Sequence, residues 1–338
     1  MKNIFIILLL SAGVICGANG QDLIFSQYYS NPIHYNSAFA GTVTYPRFSA
    51  NYRLQWPGFN NVYETYSASY DQHFPDKNLS VGAIVLTDDQ GSGTLRQTSF
   101  KGIVSYNLRF GDDWQIKFGI GTALVQNSLD WDKLIFFDQL DPVTGARDAL
   151  GNLNLTNEVR PANLSRRYLD VDLGMLLYNP RYYIGFSMFH ANGPYNGFSP
   201  DNDPGIVRNS LPVLISLHAG YQWILQKDNK GAPTSFISPN ILFTTQAGFT
   251  QFNVGAYLQK NQVFGGLWLR HTIENIDAVI FSFGVSFGNF KVGYSYDMTA
   301  SNLSLATTRG SHEIGITLGL KHLEKKVSKL NDCFSLFR

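Results

Sequence analysis

Apolar residues alternate with small or polar ones through most of this chain. Phe48, Ala50, Tyr52, Leu54 and Trp56 alternate with Ser49, Asn51, Arg53 and Gln55. The same period of two runs through Trp114, Ile116, Phe118 and Ile120, through Phe281, Phe283, Val285 and Phe287, and through Ile314, Ile316, Leu318 and Leu320. Successive side chains of a strand point to opposite faces, so each run predicts a strand with one apolar and one small or polar face. Soluble sandwiches use such strands as well, and alternation by itself leaves the fold open.

The count and spacing of the runs narrow it. The pattern predicts strands near 47–56, 62–70, 79–88, 97–110, 113–125, 168–178, 182–190, 213–223, 235–245, 249–259, 263–270, 279–287, 290–297 and 312–320, about 14 in all. Several are close to the roughly 9–11 residues that a tilted membrane strand requires. The connections sort by parity. Gly111-Asp112, Asn179-Pro180-Arg181, Lys260-Asn261-Gln262 and Gly288-Asn289 are short, whereas 126–167, 191–212, 271–278 and 298–311 are long. The connections 71–78 and 224–234 are longer than this scheme wants, and 246–248 is shorter. Short turns at one end and long loops at the other mark an outer-membrane barrel, and a sandwich has no reason to sort its loops so. The expected fold is therefore all-β: a transmembrane antiparallel up-and-down β-barrel of about 14 strands. This register turns Phe283 and Ile316 to lipid and Gly284 to the lumen, where a serine should be tolerated.

The amino terminus agrees with export. Lys2, the apolar stretch Ile4 to Leu10 and the small residues Ala18-Asn19-Gly20 have the order of a cleaved signal peptide, leaving Gln21 as the mature start. The stretch is too short for a spanning helix, which needs about 20 apolar residues. Ile15 is too bulky before Cys16 for lipoprotein processing, and after cleavage Cys333 has no partner for an intrachain disulfide. Composition adds that only 15% of residues are charged, against roughly 25% in soluble domains. The 25 Phe, 18 Tyr and 5 Trp suit lipid-facing strands and interfacial belts. A net charge of +1 gives no reason to expect a nucleic-acid partner.

The expected organisation is a signal peptide at 1–20, an irregular segment at 21–46, the barrel at 47–320 and a basic tail at 321–338. The irregular segment could fold against the lumen or lie beneath it. By parity both termini and the Lys-rich tail should be periplasmic, with 126–167 outside the cell.

Catalytic motifs are absent. Thr87-Asp88-Asp89-Gln90-Gly91-Ser92-Gly93 lacks the spacing and distal Glu of a calcium loop, and Asp138-Gln139-Leu140-Asp141-Pro142 reads as a solvated loop. The 7 His lack metal-ligand spacing and no nucleophile elbow appears, so neither an enzyme nor a cofactor is expected. Gly265-Gly266 and the Gly119/Gly121 pair lie within strands, as close-approach positions and not phosphate loops. The inward faces carry Arg53, Lys101, Arg109, Lys117, Asp170, Asp172, Arg270, Lys291, Asp297 and Glu313. They fit a structural network of opposite charges better than the lining of a selective channel. The long loops carry Trp131, Phe136, Phe137, Tyr195 and Phe198, aromatic types enriched at interface cores. The plainer reading is that these rings pack the loops over the barrel mouth.

Gln27-Tyr28-Tyr29-Ser30-Asn31-Pro32, followed by Asn36-Ser37-Ala38-Phe39-Ala40-Gly41, resembles the amino-terminal signature of the PorP/SprF family of type IX secretion system membrane proteins. Ser37 stands where the family usually has Pro. Asn51-Tyr52-Arg53-Leu54-Gln55-Trp56, Gly265-Gly266-Leu267-Trp268-Leu269-Arg270, Val292-Gly293-Tyr294-Ser295-Tyr296-Asp297 and Gly310-Ser311-His312-Glu313-Ile314 are similar to further family motifs. The resemblance implies an accessory barrel of the secretion and gliding apparatus. Its implied partners are other type IX components, outer-membrane lipid, and an adhesin-like secreted protein engaged through its C-terminal sorting domain for secretion or surface anchoring. The alternative is a passive outer-membrane channel for small or hydrophobic solutes.

Overall fold

The structure, a computed structural model, describes residues 22–59, 62–111, 113–198, 210–229, 231, 233–273, 275–300, 305–320 and 333–334. The proposed signal peptide and most of the basic tail lie outside the described residues.

The alternating segments form one closed antiparallel sheet. In chain order its strands are β1 (Arg47–Gln55), β2 (Tyr63–Phe74), β3 (Leu79–Gln90), β4 (Leu95–Phe110), β5 (Trp114–Leu129), β6 (Ser165–Tyr178) and β7 (Tyr182–Phe189). They continue as β8 (Leu214–Tyr221), β9 (Trp223–Lys227), β10 (Pro233–Gln246), β11 (Phe249–Lys260) and β12 (Val263–Thr272). The last are β13 (Ile276–Phe287), β14 (Phe290–Thr299) and β15 (Ser311–Gly319). Apart from β8 and β9, which do not pair with each other, each pairs with its sequence neighbours, and β15 closes on β1 from Arg47↔Gly319 to Gln55↔Ser311. The run expected at 213–223 is interrupted at Gln222: its backbone N–H continues the β7 register to the Arg181 carbonyl at 2.6 Å, but the pairing with β10 stops at Gly220 and resumes at Trp223. The pieces on either side, β8 and β9, both pair with β10, so the 15 described segments make 14 staves.

Two exceptions to the loop parity disappear in the structure. Strand β2 runs on through Phe74 and turns at Pro75–Lys77, with Asn78 in the left-handed region at φ 51. Strand β9 likewise shortens the expected connection at 224–234. The exception at 246–248 is real: Ala247 and Gly248, at φ 50 and 86, make a two-residue hairpin at the long-loop end, where both central residues need positive φ.

The outward face is apolar, with Phe283 61%, Ile120 57% and Ile316 44% exposed on the barrel wall. At the short-turn end Trp114 packs on Tyr182 at 5.3 Å, and Tyr182 stacks on Tyr221 at 6.3 Å, as an interfacial aromatic belt does. The inward face is polar and the lumen is filled. Residues 22–46 enter at the long-loop end, where Asp22 N–H donates to Gln246 at 3.0 Å, and cross to Arg47 at the short-turn end. They include a one-turn helix, Pro32–Tyr35, and a 3-10 turn, Ser37–Phe39. The described start of the chain therefore lies at the end opposite to that expected from parity, because the plug spans the lumen before the first strand begins. Two residues of the tail are described, beside the β6–β7 turn at the short-turn end. Cys333 and Phe334 are buried inside the barrel, with the Phe334 ring 4.8 Å from Tyr178, 5.5 Å from Tyr183 and 5.8 Å from Phe39.

Gly284 corrects a further expectation. It faces inward as foreseen, but a Cβ there would overlap the Phe264 ring and the Val292 carbonyl, so serine does not fit. Ser286 is the better inward control. Phe283→Arg places a charge against the acyl chains, a cost of about 2–4 kcal/mol near mid-bilayer. It should sharply reduce the yield of heat-modifiable folded barrel, while Ser286→Ala should not. Semi-native gel mobility of both variants checks this.

Candidate functional site

The barrel presents three features that can act on other molecules: a pinned plug, a vestibule above it, and a rim of loops. The pins are residues of the amino-terminal signature. The Glu313 carboxylate accepts the Ser26 and Gln27 backbone N–H groups at 2.7 and 3.0 Å. Gln27 Nε2 donates to the Glu313 carbonyl at 2.7 Å. Arg53 reaches Glu313 at 3.2 Å and Asp297 at 3.0 Å, and Arg270 reaches Asp297 at 3.1 Å. The Ser26 hydroxyl sits among them, donating to Asp297 at 2.6 Å and accepting from Arg53 at 2.8 Å and Arg270 at 2.9 Å.

Further down, Asn36 Nδ2 donates to the Met175 and Phe186 carbonyls of β6 and β7, both at 3.0 Å. Asn31 donates to Ser67 at 2.9 Å. The Gly41 N–H donates to Asp71 at 2.7 Å, and Asp71 in turn binds Arg47 at 2.8 Å. Gly41 adopts φ 65, and a Cβ there would run into Ser80. Lys117 Nζ donates to the Ala40 carbonyl at 2.5 Å. The barrel wall makes room for the plug: side chains at Gly119 or Gly174 would collide with Ser37, Ala38 or Asn36. These anchoring roles were not legible from residue types, because Gln, Asn and Gly carry no periodic signal outside a strand.

The inward charges are mostly engaged. Besides the pairs above, Lys101 meets Asp172, and Lys291 lies over the Phe264 ring at 4.7 Å. Arg109 is exposed at the end of β4, which projects past the short-turn rim.

Above the plug is a vestibule of about 630 Å³ lined by Arg53, Gln55, Trp56, Gln90, Gln251 and Arg270 among others. It leads into a smaller cavity of about 120 Å³ between the plug and strands β3 to β8 and β10. His190 lines the smaller cavity, with its Nδ1 2.9 Å from Asp170 and its Nε2 2.5 Å from Asp22. Burial alone would lower this imidazole, but the two hydrogen-bonded carboxylates push it up to about 10. Among the described residues no cluster of His, Cys, Asp and Glu could hold a metal ion.

The rim is dominated by residues 130–164. Asp141 accepts the Val143 and Thr144 N–H groups at 2.7 and 2.9 Å, and Asp148 accepts those of Leu150 and Asn152 at 2.9 and 2.8 Å. Asp138 accepts the Asn157 N–H at 2.6 Å, and Gln139 and Asn154 bond each other's backbone carbonyls at 2.5 and 2.7 Å. The carboxylates that read as loop solvation thus fold the loop on itself. Of the five aromatic candidates, Trp131 and Phe136 pack together at 4.8 Å, Tyr195 lies under the Arg166 guanidinium at 5.0 Å, and Phe198 is half-buried. Phe137 projects into solvent, 91% exposed, in the same loop as Val143, Leu150, Leu155 and Val159, all at least 85% exposed. The structure thus sets the first four aromatics to packing work and adds aliphatic residues that a search for aromatics missed.

A sequence model described as type IX secretion system membrane protein PorP/SprF matches residues 17–318. No curated protein matches the chain. Among solved structures, the toluene transporter TbuX of Ralstonia pickettii is 10% identical over 84% of this chain and 90% of its own, with a TM-score of 0.47. Omp33 of Acinetobacter baumannii is 6% identical over 82% of this chain and 99% of its own, with a TM-score of 0.41.

Two outcomes follow from the pinned plug. Removing one partner of a buried ion pair costs about 3–5 kcal/mol. Glu313→Ala should therefore loosen residues 22–46, seen as a rise in ion conductance across planar bilayers over that of the unaltered protein. His190 stabilises through its protonated form, so its contribution is full below about 6.5 and is lost as pH rises towards about 10. The urea midpoint of the unaltered protein should fall over that interval, and that of His190→Asn should change less.

Proposed function

The chain belongs to the PorP/SprF family of type IX secretion system membrane proteins, and we propose that it serves that apparatus as a non-enzymatic, non-conducting outer-membrane docking barrel. In this reading the long-loop end faces the cell exterior and the short-turn end the periplasm. The loop at 130–164 engages the C-terminal sorting domain of one cognate secreted protein, adhesin-like in kind, and helps secrete it or hold it at the surface.

The observation that carries the reading is the loop itself. It is tied by its own Asx-type hydrogen bonds, yet it turns Phe137, Val143, Leu155 and Val159 outward with at least 85% of each exposed. Apolar side chains held in water by an ordered frame are the usual form of a partner-binding surface. The filled lumen beneath supports docking over conduction.

Replacing Phe137, Val143, Leu155 and Val159 together by Ser leaves the loop's internal hydrogen bonds in place. The variant should fold and migrate as a heat-modifiable barrel. Cells carrying it should lose surface display of one secreted protein, read by labelling intact cells, with unchanged permeability to sugars and antibiotics. Normal display combined with lost uptake of a solute would replace this reading with that of a passive channel.

A further inference from the structure

We propose that the blind cavity beside the plug is a binding site for a ligand that carries an ammonium group next to a short apolar group. The site is distinct from the loop at 130–164 and does not depend on what that loop binds. Its wall is mixed in a definite order. The inward ladder of β3 passes from Ile84 and Leu86 to Asp88 and Gln90 toward the long-loop end, and Asp88 lines both the cavity and the vestibule. Val125 and Phe189 complete the apolar part.

Charge decides the sign of the ligand. Each basic group lining the two spaces is already engaged. Arg53 and Arg270 meet Asp297 at 3.0 and 3.1 Å, and Lys101 meets Asp172. His190 lies between Asp22 and Asp170, and His34 turns to the Leu23 carbonyl at 3.4 Å. Asp88 is different. It is 8% exposed, and the groups that hydrogen-bond its carboxylate are neutral: the Thr65 hydroxyl at 2.6 Å and Gln90 Nε2 at 2.8 Å. A carboxylate largely withdrawn from water and held by neutral donors attracts a cation more strongly than one at a surface.

A second observation points to an occupant. Three residues that line these spaces and are more than nine-tenths buried each carry a polar atom without a hydrogen-bond partner: Ser216 Oγ, Asp170 Oδ1 and Gln251 Nε2. Two of the three can accept from an ammonium group, so the unfilled capacity agrees with the charge. With the plug below, such a ligand enters and leaves by the vestibule.

The same chemistry can come from a free alkylamine or from the amino end of a peptide with an apolar first residue, and the test separates them. Calorimetric titration of the full-length protein in detergent uses n-pentylamine, pentan-1-ol, pentanoate, the tripeptide Leu-Gly-Gly and its N-acetylated form. Pentylamine and the free tripeptide should bind, and the alcohol, the acid and the acetylated peptide should bind at least about tenfold more weakly, the scale of a charge-assisted contact. The tighter of the two amines assigns the source. Asp88→Asn should reduce amine affinity about tenfold, and Ala123→Phe, which fills the cavity without touching Asp88, should abolish it. Pentanol or pentanoate binding as well as pentylamine would overturn the proposal. So would amine affinity unchanged in either folded variant, or no amine binding to the unaltered protein.

Discussion

Everything inside the barrel depends on the buried network in which Arg53 and Arg270 share Asp297, and Arg53 also holds Glu313, around Ser26. Two guanidinium and two carboxylate groups out of water are costly unless nearly every donor and lone pair is met. Here the strands supply the charges from β1, β12, β14 and β15, and the plug supplies Ser26 and two backbone N–H groups that complete them. Neither half is satisfied without the other. The plug is therefore a part of the barrel's hydrogen-bonded interior, added at the seam where β15 closes on β1.

That coupling accounts for other features of the wall. A 14-stave barrel is too wide to be filled by its own side chains alone. Residues 22–46 fill it, and strand glycines such as Gly119 and Gly174 let their backbone approach the sheet. Where the plug carries rings, the wall meets them with rings: Tyr28 against Trp268 at 5.0 Å, and Tyr29 against Tyr257 at 4.9 Å and Phe264 at 5.4 Å. Phe334 enters from the other end of the chain to meet Phe39. The interior is packed as a domain core is, while the faces of the sheet are reversed relative to a soluble protein.

The sheet was legible in the sequence because its physics is local. A period of two, bounded by turn residues, fixes which side of each strand meets lipid, and Phe283 and Ile316 lie where that period puts them. The plug was not legible, because its residues obey no period and their partners lie far away in the chain: Ser26 and Glu313 are 287 positions apart. Gly284 shows the same boundary at one residue. Its inward direction follows from alternation, but its intolerance of a side chain depends on the Phe264 ring packed against it. The break at Gln222 was missed because the register on β10 is the same on either side of it, from Gly220↔Asn240 to Trp223↔Ile237, so the period of two runs on through the gap. For the rim, composition pointed to rings, whereas exposure depends on how Asp138, Asp141 and Asp148 fold the loop. The family motifs were recognisable as words, but their meaning as anchors required the contacts.

A filled lumen changes what the long-loop end has to offer. An open barrel selects solutes by the bore and charge of its constriction, and its loops serve mainly to narrow the mouth. Here most of the wall's charges are paired with one another or with the plug, and a solute entering the vestibule meets Asp22, Leu23 and Ile24 as a floor. The surfaces left for recognition are the vestibule and the loops above it. A loop ordered in advance by Asx turns pays little further entropy when it binds, so exposed side chains such as Phe137 and Leu155 can contribute their burial to affinity instead of to ordering. The same economy applies within the cavity, whose walls are strands held by continuous ladders.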